Sequence, residues 1–386
     1  MTPPVRILLG PGPSAVHPRV LRAMSMPVIG HLDPVFIEIM EETMRLLRAT
    51  FLTRNQLTFP ISATGSAGME ACLVNLLEPG DTAIVGVNGV FGGRMADIVE
   101  RCGATLIKVE APWGRIIDPA DVQRALQQHP GAKLVALVHA ETSTGAWQPM
   151  EDIGRLVRNA GALLVADTVT SLGGCPVRVD EWLIDACYSG TQKCLSCPPG
   201  LSPVTFGPRA IEVLHRRKTK VQSWYLDLTM IERYWGADRV YHHTAPISMI
   251  YALLEALRLV EEEGLDARWR RHERNHHALK AGLAALNLPL ASQEGHQLWT
   301  LNSVRVPDGV DDAGVRQALL NEFSIEIGAG LGPLRGKTWR IGLMGESSTE
   351  ANVLLVLLAL ERLLPRFGHQ VAAGTGVAAA AAALAN

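Results

Sequence analysis

Long apolar runs are missing from this chain. No segment of its 386 residues reaches the ~20 apolar positions needed to span a bilayer, and the N-terminal stretch MTPPVRILLGPGPS has no signal-peptide core. A cytoplasmic location with no membrane partner is expected. An excess of one charge is missing too. The 36 basic and 38 acidic residues leave no electrostatic footprint for nucleic acid or an anionic surface, and the basic cluster Arg268–Arg274 reads as a solvated helix face. Cysteine is sparse: six residues, at 72, 102, 175, 187, 194 and 197, are too few and scattered for a disulfide scaffold. The one tight pair, Cys194 and Cys197, lacks a second ligand pair or a thioredoxin-like context, so neither a metal nor a redox centre is expected. The dinucleotide fingerprint G-x-G-x-x-G is absent, which argues against a nicotinamide dehydrogenase. What remains is a globular protein with a small-molecule partner.

What is present is an alternation of strand and helix patterns. Apolar β-runs at Leu57–Ile61, Thr82–Val87, Thr105–Val109, Leu134–His139, Leu163–Ala166 and Asp185–Tyr188 are separated by helical stretches near 34–51, 69–77, 91–102 and 149–160. This predicts an α/β fold with a mostly parallel sheet. Pro203–Phe206 reads as an antiparallel return, and Pro246–Glu263 as a helix stopped by Gly264. From 265 the order changes to helix, strand, helix, short strand, strand, helix. The chain therefore divides into a large domain with an N-terminal arm over 1–264 and a small α+β domain over 265–365. The remainder, 366–386, ends in low-complexity alanine and reads as a disordered tail.

Two residues carry the chemistry. The run Ala162–Ala166 has no polar residue, as a parallel strand covered on both faces requires, and Asp167 falls at its carboxyl end, where open α/β sheets bind ligands. The 17 residues Thr168–Ile184 then allow a crossover to the next parallel strand, after which a short turn presents Lys193. An amine and a carboxylate so placed suit pyridoxal phosphate, which needs the first as a Schiff-base anchor and the second beside its pyridine nitrogen. Thr64–Gly68, between a strand and a helix, suits a phosphate cup or a plain turn. Phe91 could stack on the ring or pack in the core. Arg340, inside an apolar strand, calls for a carboxylate partner, either internal or from a substrate. The segment Gly328–Gly332 runs into Pro333 and reads as a flexible loop.

The motifs LLGPGPS at 8–14, TGSAGMEA at 64–71, HAETSTG at 139–145, ADTVTSLGG at 166–174, YSGTQK at 188–193, YHHT at 241–244 and WRIGLMG at 339–345 are similar, in order and spacing, to those of class V aminotransferases. The chain resembles above all the alanine–glyoxylate and serine–glyoxylate type of that family, from about Arg6 to Leu364. The resemblance implies the fold-type I architecture, with a mostly parallel seven-stranded sheet between helices. It implies pyridoxal phosphate held by Lys193, with Asp167 at the ring nitrogen, Phe91 on the ring face and Thr142 on the phenolic-oxygen side. Gly65, Ser66, Ala67 and Gln192 would surround the phosphate. Tyr241 and Thr244 would reach the phosphate of a second subunit, which makes a homodimer with shared sites the expected assembly. Arg340, with Thr142, would bind the substrate, so the partners are a small amino acid and a 2-oxo acid. Transfer from alanine or serine to glyoxylate by a ping-pong route is the leading expectation. Ureidoglycine–glyoxylate transfer is the near alternative, and a cysteine desulfurase a more distant one. In animal members histidine, tryptophan and serine commonly stand where Ser66, Phe91 and Thr142 stand here.

Overall fold

In the computed structural model, which describes residues 2–385, the expected β-runs form one seven-stranded sheet. Its order is Leu57–Ile61, Ser202–Phe206, Ala186–Tyr188, Leu163–Asp167, Leu134–Val138, Thr82–Val87, Thr105–Glu110. Ser202–Phe206 runs antiparallel to both its neighbours, as its sequence position suggested, and the other pairings are parallel. The central strands Leu134–Val138 and Leu163–Asp167 are buried along their whole length, because helices cover both faces of the sheet. Register sets Val138, Asp167 and Tyr188 abreast at the carboxyl edge, so the segments that follow them emerge side by side. The crossover from Asp167 to Ala186 contains no regular helix and is built from turns.

A second, smaller sheet lies in the C-terminal part. Leu301–Arg305 and Gly328–Ala329 flank Thr338–Gly342, both antiparallel. The segment read as a flexible loop is thus in part a strand, because Gly328 pairs with Arg340. The apolar interior divides likewise. One cluster runs from Val20 to Val260, another joins Ala278, Trp339, Ile341 and Val356, and a small third one between them joins Ala140 and Cys194 to Leu301 and Met344. Leu9 belongs to the second, and Ile7–Leu8 pairs in parallel with Ile325–Glu326, so the N-terminal arm is anchored on the C-terminal unit.

The tail corrects the expectation of disorder. Thr375–Leu384 is an α-helix packed on Leu265–Ala285 and Glu350–Leu363, with Ala380 fully buried. Alanine is the strongest helix former. The missing cap is supplied from a distance, by the buried Glu361 carboxylate, which accepts from the backbone N–H of Gly374 at 2.7 Å, Gly376 at 2.6 Å and Val377 at 3.0 Å. Helices at Pro18–Met24, Pro119–Gln128, Pro208–His215 and Leu228–Trp235 also went unread. Among the described residues no helix is long and apolar enough to cross a membrane.

Candidate active site

The carboxyl edge of the large sheet opens into a cavity of about 250 Å³. Asp167, Tyr188, Gln192 and Lys193 line it together with Thr142, Phe91, Gly65 and Ser66. Sequence positions more than a hundred residues apart meet there because each follows a strand of the same sheet. Ala67 does not reach the lining, although its backbone lies in the first turn of the helix Gly65–Leu76. Tyr241 and Thr244 are exposed and do not line this cavity; Tyr241 is 60% accessible.

Asp167 is buried and both of its oxygens are tied. The backbone N–H of Val169 donates to Oδ1 at 2.8 Å and the Tyr188 hydroxyl to Oδ2 at 2.8 Å. Burial pushes its carboxyl up to about 7, against the pull of those two bonds. Tyr188 immediately precedes the turn that bears Lys193, yet sequence reasoning gave it only a strand role. Burial, followed by the nearby charge of Arg340, pushes the Lys193 amine down to about 8. Lys193 donates to the carbonyl of Pro11 in the N-terminal arm. The arm holds the turn at two further points, Ser14 Oγ to the Lys193 carbonyl at 2.6 Å and Ser14 N–H to the Gln192 carbonyl at 2.9 Å. A Cβ on Gly12, whose φ is +100°, would stand 2.5 Å from Lys193 Nζ, so only glycine lets the arm pass this close.

Arg340 is 8% exposed. Its Nε donates to the Ala329 carbonyl at 2.7 Å and Nη1 to the Thr142 carbonyl at 3.4 Å, and among the described residues it forms no ion pair. Burial pushes it down to about 10. Of the two partners that the sequence left open, the internal acid is absent. The buried Glu141 carboxylate acts on the Arg340 charge without pairing to it, and is spoken for. It accepts from Ser143 N–H at 3.0 Å and Ser143 Oγ at 2.6 Å, and from Phe91 N–H at 3.1 Å in the first turn of Val90–Arg101. Glu141 therefore fixes both the loop that carries Thr142 and the helix that carries Phe91. Its position inside the HAETSTG motif was the available signal.

Behind Lys193, the cluster expected to be a solvated helix face is solvated at Arg270 and Arg274 but structural at Arg268. Arg268 is 2% exposed and donates to the carbonyls of Gly173 at 3.0 Å and Cys194 at 2.7 Å, gripping the segments that follow both Asp167 and Lys193. Glu263 pairs with it at 2.5 Å. All six thiols are buried and none lines the cavity.

Known proteins resemble this chain in sequence and in backbone. The family model for class V aminotransferases matches residues 11–342. The chain is 43% identical to an (S)-ureidoglycine–glyoxylate transaminase of Bacillus subtilis, over 98% of this chain and 95% of that one. A solved structure of a ureidoglycine–glyoxylate aminotransferase from the same organism superposes with a TM-score of 0.98 at 44% identity, covering 100% of both chains. An alanine–glyoxylate aminotransferase from Nostoc sp. superposes with a TM-score of 0.93 at 50% identity, over 94% of this chain and 96% of that one. Likeness of this extent, in sequence as well as in backbone, shows that the chain belongs to the class V aminotransferases, a fold-type I family that works in general through pyridoxal phosphate.

Proposed function

We propose that pyridoxal phosphate is the cofactor of this aminotransferase, and that it moves the amino group of alanine or serine to glyoxylate, yielding glycine and pyruvate or hydroxypyruvate. The observation that carries this reading is Lys193 at the cavity together with a buried Arg340 that forms no ion pair among the described residues. A buried guanidinium without an internal carboxylate is costly unless a ligand supplies one. Donor and acceptor each bring one carboxylate, in keeping with two half-reactions served in turn at one site.

The residues present fit the cofactor. The first-turn N–H groups of Gly65–Leu76 receive no side-chain cap from Thr64, and Gln192 Oε1 is buried without a partner. The helix N–H groups, the Gln192 side-chain amide turned to donate through Nε2, and the Ser66 hydroxyl would hold the phosphate at the positive end of the helix. Asp167 would hold the ring nitrogen, since a cation beside a carboxylate held near 7 draws it back to the ionised form. When bound, pyridoxal phosphate supplies an electron sink that acidifies the substrate Cα–H. Lys193 Nζ is the base for that proton. With its amine brought down to about 8, a useful fraction is neutral at physiological pH. Thr142 and Arg340 orient the substrate. A sulfur-transfer reading has no thiol at the cavity to work with.

Ureidoglycine as donor is the second reading, favoured by the Bacillus relative that matches 98% of the chain. Single-turnover spectra with alanine, serine and (S)-ureidoglycine rank the donors. Lys193→Ala should keep the fold and abolish turnover, and borohydride should bleach and inactivate the wild type. Near-normal turnover in Lys193→Ala removes the assignment. Exposed Tyr241 and Thr244 support a site completed across a homodimer. Tyr241→Phe with Thr244→Ala, mixed with Lys193→Ala, should then regain activity on subunit exchange, and no recovery after proven exchange rejects sharing.

A further inference from the structure

An exposed guanidinium without an ion pair lines the cavity itself, and the account above gives it no role. Arg94 lies in the second turn of Val90–Arg101 and lines the cavity beside Ser66. Its Nη1 donates to Ser66 Oγ at 2.9 Å, and its Cζ sits 5.0 Å from the centroid of the Phe91 ring. Among the described residues it forms no ion pair. A hydrogen bond to an oxygen and a cation–π contact thus hold the charge in place while leaving it unneutralised.

The hydroxyl of Ser66 accepts from Arg94, so its own proton is free to be donated elsewhere. Ser66 is the second residue of the helix Gly65–Leu76, where the first-turn N–H groups are also uncapped by Thr64. The helix terminus contributes about half a positive charge. A phosphate monoester near pH 7 carries roughly 1.5 to 2 negative charges. The balance must come from side chains. Among the residues that line the cavity, the only cations are Arg94 and Lys193, and Lys193 is committed to the anchor.

We propose that Arg94 reads the charge of the cofactor phosphate, directly and through the hydroxyl of Ser66, and so sets the affinity of this chain for pyridoxal phosphate over pyridoxal. The proposal rests on the function reading above and assigns the phosphate end of the same site. Stacking on Phe91 gives Arg94 a second effect, because the same guanidinium steadies the ring expected to face the cofactor.

The test uses the full chain freed of cofactor and titrated with pyridoxal 5'-phosphate or pyridoxal, following the absorbance of the lysine adduct. Inorganic phosphate serves as competitor. Arg94→Gln should weaken pyridoxal phosphate about ten- to a hundredfold, the range for a charge-assisted contact, and leave pyridoxal within about twofold. Inorganic phosphate should compete against the wild type and fail against the variant. Arg94→Lys should retain part of the affinity, and Ser66→Ala combined with Arg94→Gln should cost less than the sum of the two. Equal losses for pyridoxal and pyridoxal phosphate, or unchanged affinity for both, overturn the proposal while leaving the Lys193 assignment intact. A wild-type chain that forms no borohydride-reducible adduct with either ligand overturns the function reading, and this proposal with it.

Discussion

Burial moves Asp167 and Lys193 toward each other on the pH scale, the acid up to about 7 and the amine down to about 8. Each shift fixes a sign for stability in the cofactor-free chain. Between the ordinary carboxyl value of 3.8 and about 7, the folded chain keeps a proton on Asp167 that the unfolded chain has lost, so stability falls as pH rises through that window. Between about 8 and 10.5 the unfolded chain keeps a proton on Lys193 that the folded chain lacks, so stability rises again. Buried His139 and His272, each held neutral down to about 3, act with the opposite sign to Asp167 below their ordinary value. The clean measurement is therefore a difference. The melting temperature of cofactor-free Asp167→Asn minus that of wild type should grow from pH 5 to pH 8; a flat difference would show that Asp167 titrates normally. At Arg340 the expectation is kinetic. Lysine's point charge cannot match a carboxylate in two-point fashion, so Arg340→Lys should lower kcat/KM roughly ten- to a hundredfold for donor and glyoxylate alike, read in the two half-reactions.

Helices and strands were legible where the signal was local. The run Ala162–Ala166 predicted a buried parallel strand, which is found, and the acid after it lines the cavity at the strand's carboxyl end. The C-terminal helix was illegible because its cap, Glu361, lies 13 residues upstream of Gly374 and its apolar cover is the helix Leu265–Ala285. Composition sees alanine and not these partners. The charged face at Arg268 misled for the same reason, since the carbonyls it grips lie 95 and 74 residues away. A disordered tail could be cut without consequence. Removing residues 371–386 should instead lower the melting temperature by several degrees, because it uncovers apolar surface around Leu283 and leaves the Glu361 carboxylate without its three donors. An unchanged melt would show that the helix contributes nothing.

At the scale of the molecule, the first fifteen residues tie the C-terminal unit to the turn that bears Lys193, beside a small third apolar cluster that joins Ala140 and Cys194 to Leu301 and Met344. Ile7–Leu8 belongs to the C-terminal unit by pairing and Leu9 by packing, while Pro11 and Ser14 hold the turn that bears Lys193. The motif LLGPGPS marked this segment in the sequence, but nothing local says which unit it serves. Close approach makes the joint sensitive. A Cβ on Gly342 would lie 2.0 Å from the Gly10 carbonyl oxygen, so Gly342→Ala must push the arm away. That variant should lose cofactor retention and turnover together while the large sheet still folds; normal turnover would show that the arm does not position Lys193. The same arm imposes an order on biosynthesis. The strand partner of residues 7 and 8, at 325–326, leaves the ribosome more than three hundred residues after them, on the order of tens of seconds later at roughly 5–20 residues per second. Until then the large sheet can form and Arg268 can grip the segment after Lys193, but the turn lacks the hold of the arm. A nascent or prematurely terminated chain that stops short of residue 326 therefore holds no working site, and synthesis must pass that strand before the cell gains an aminotransferase.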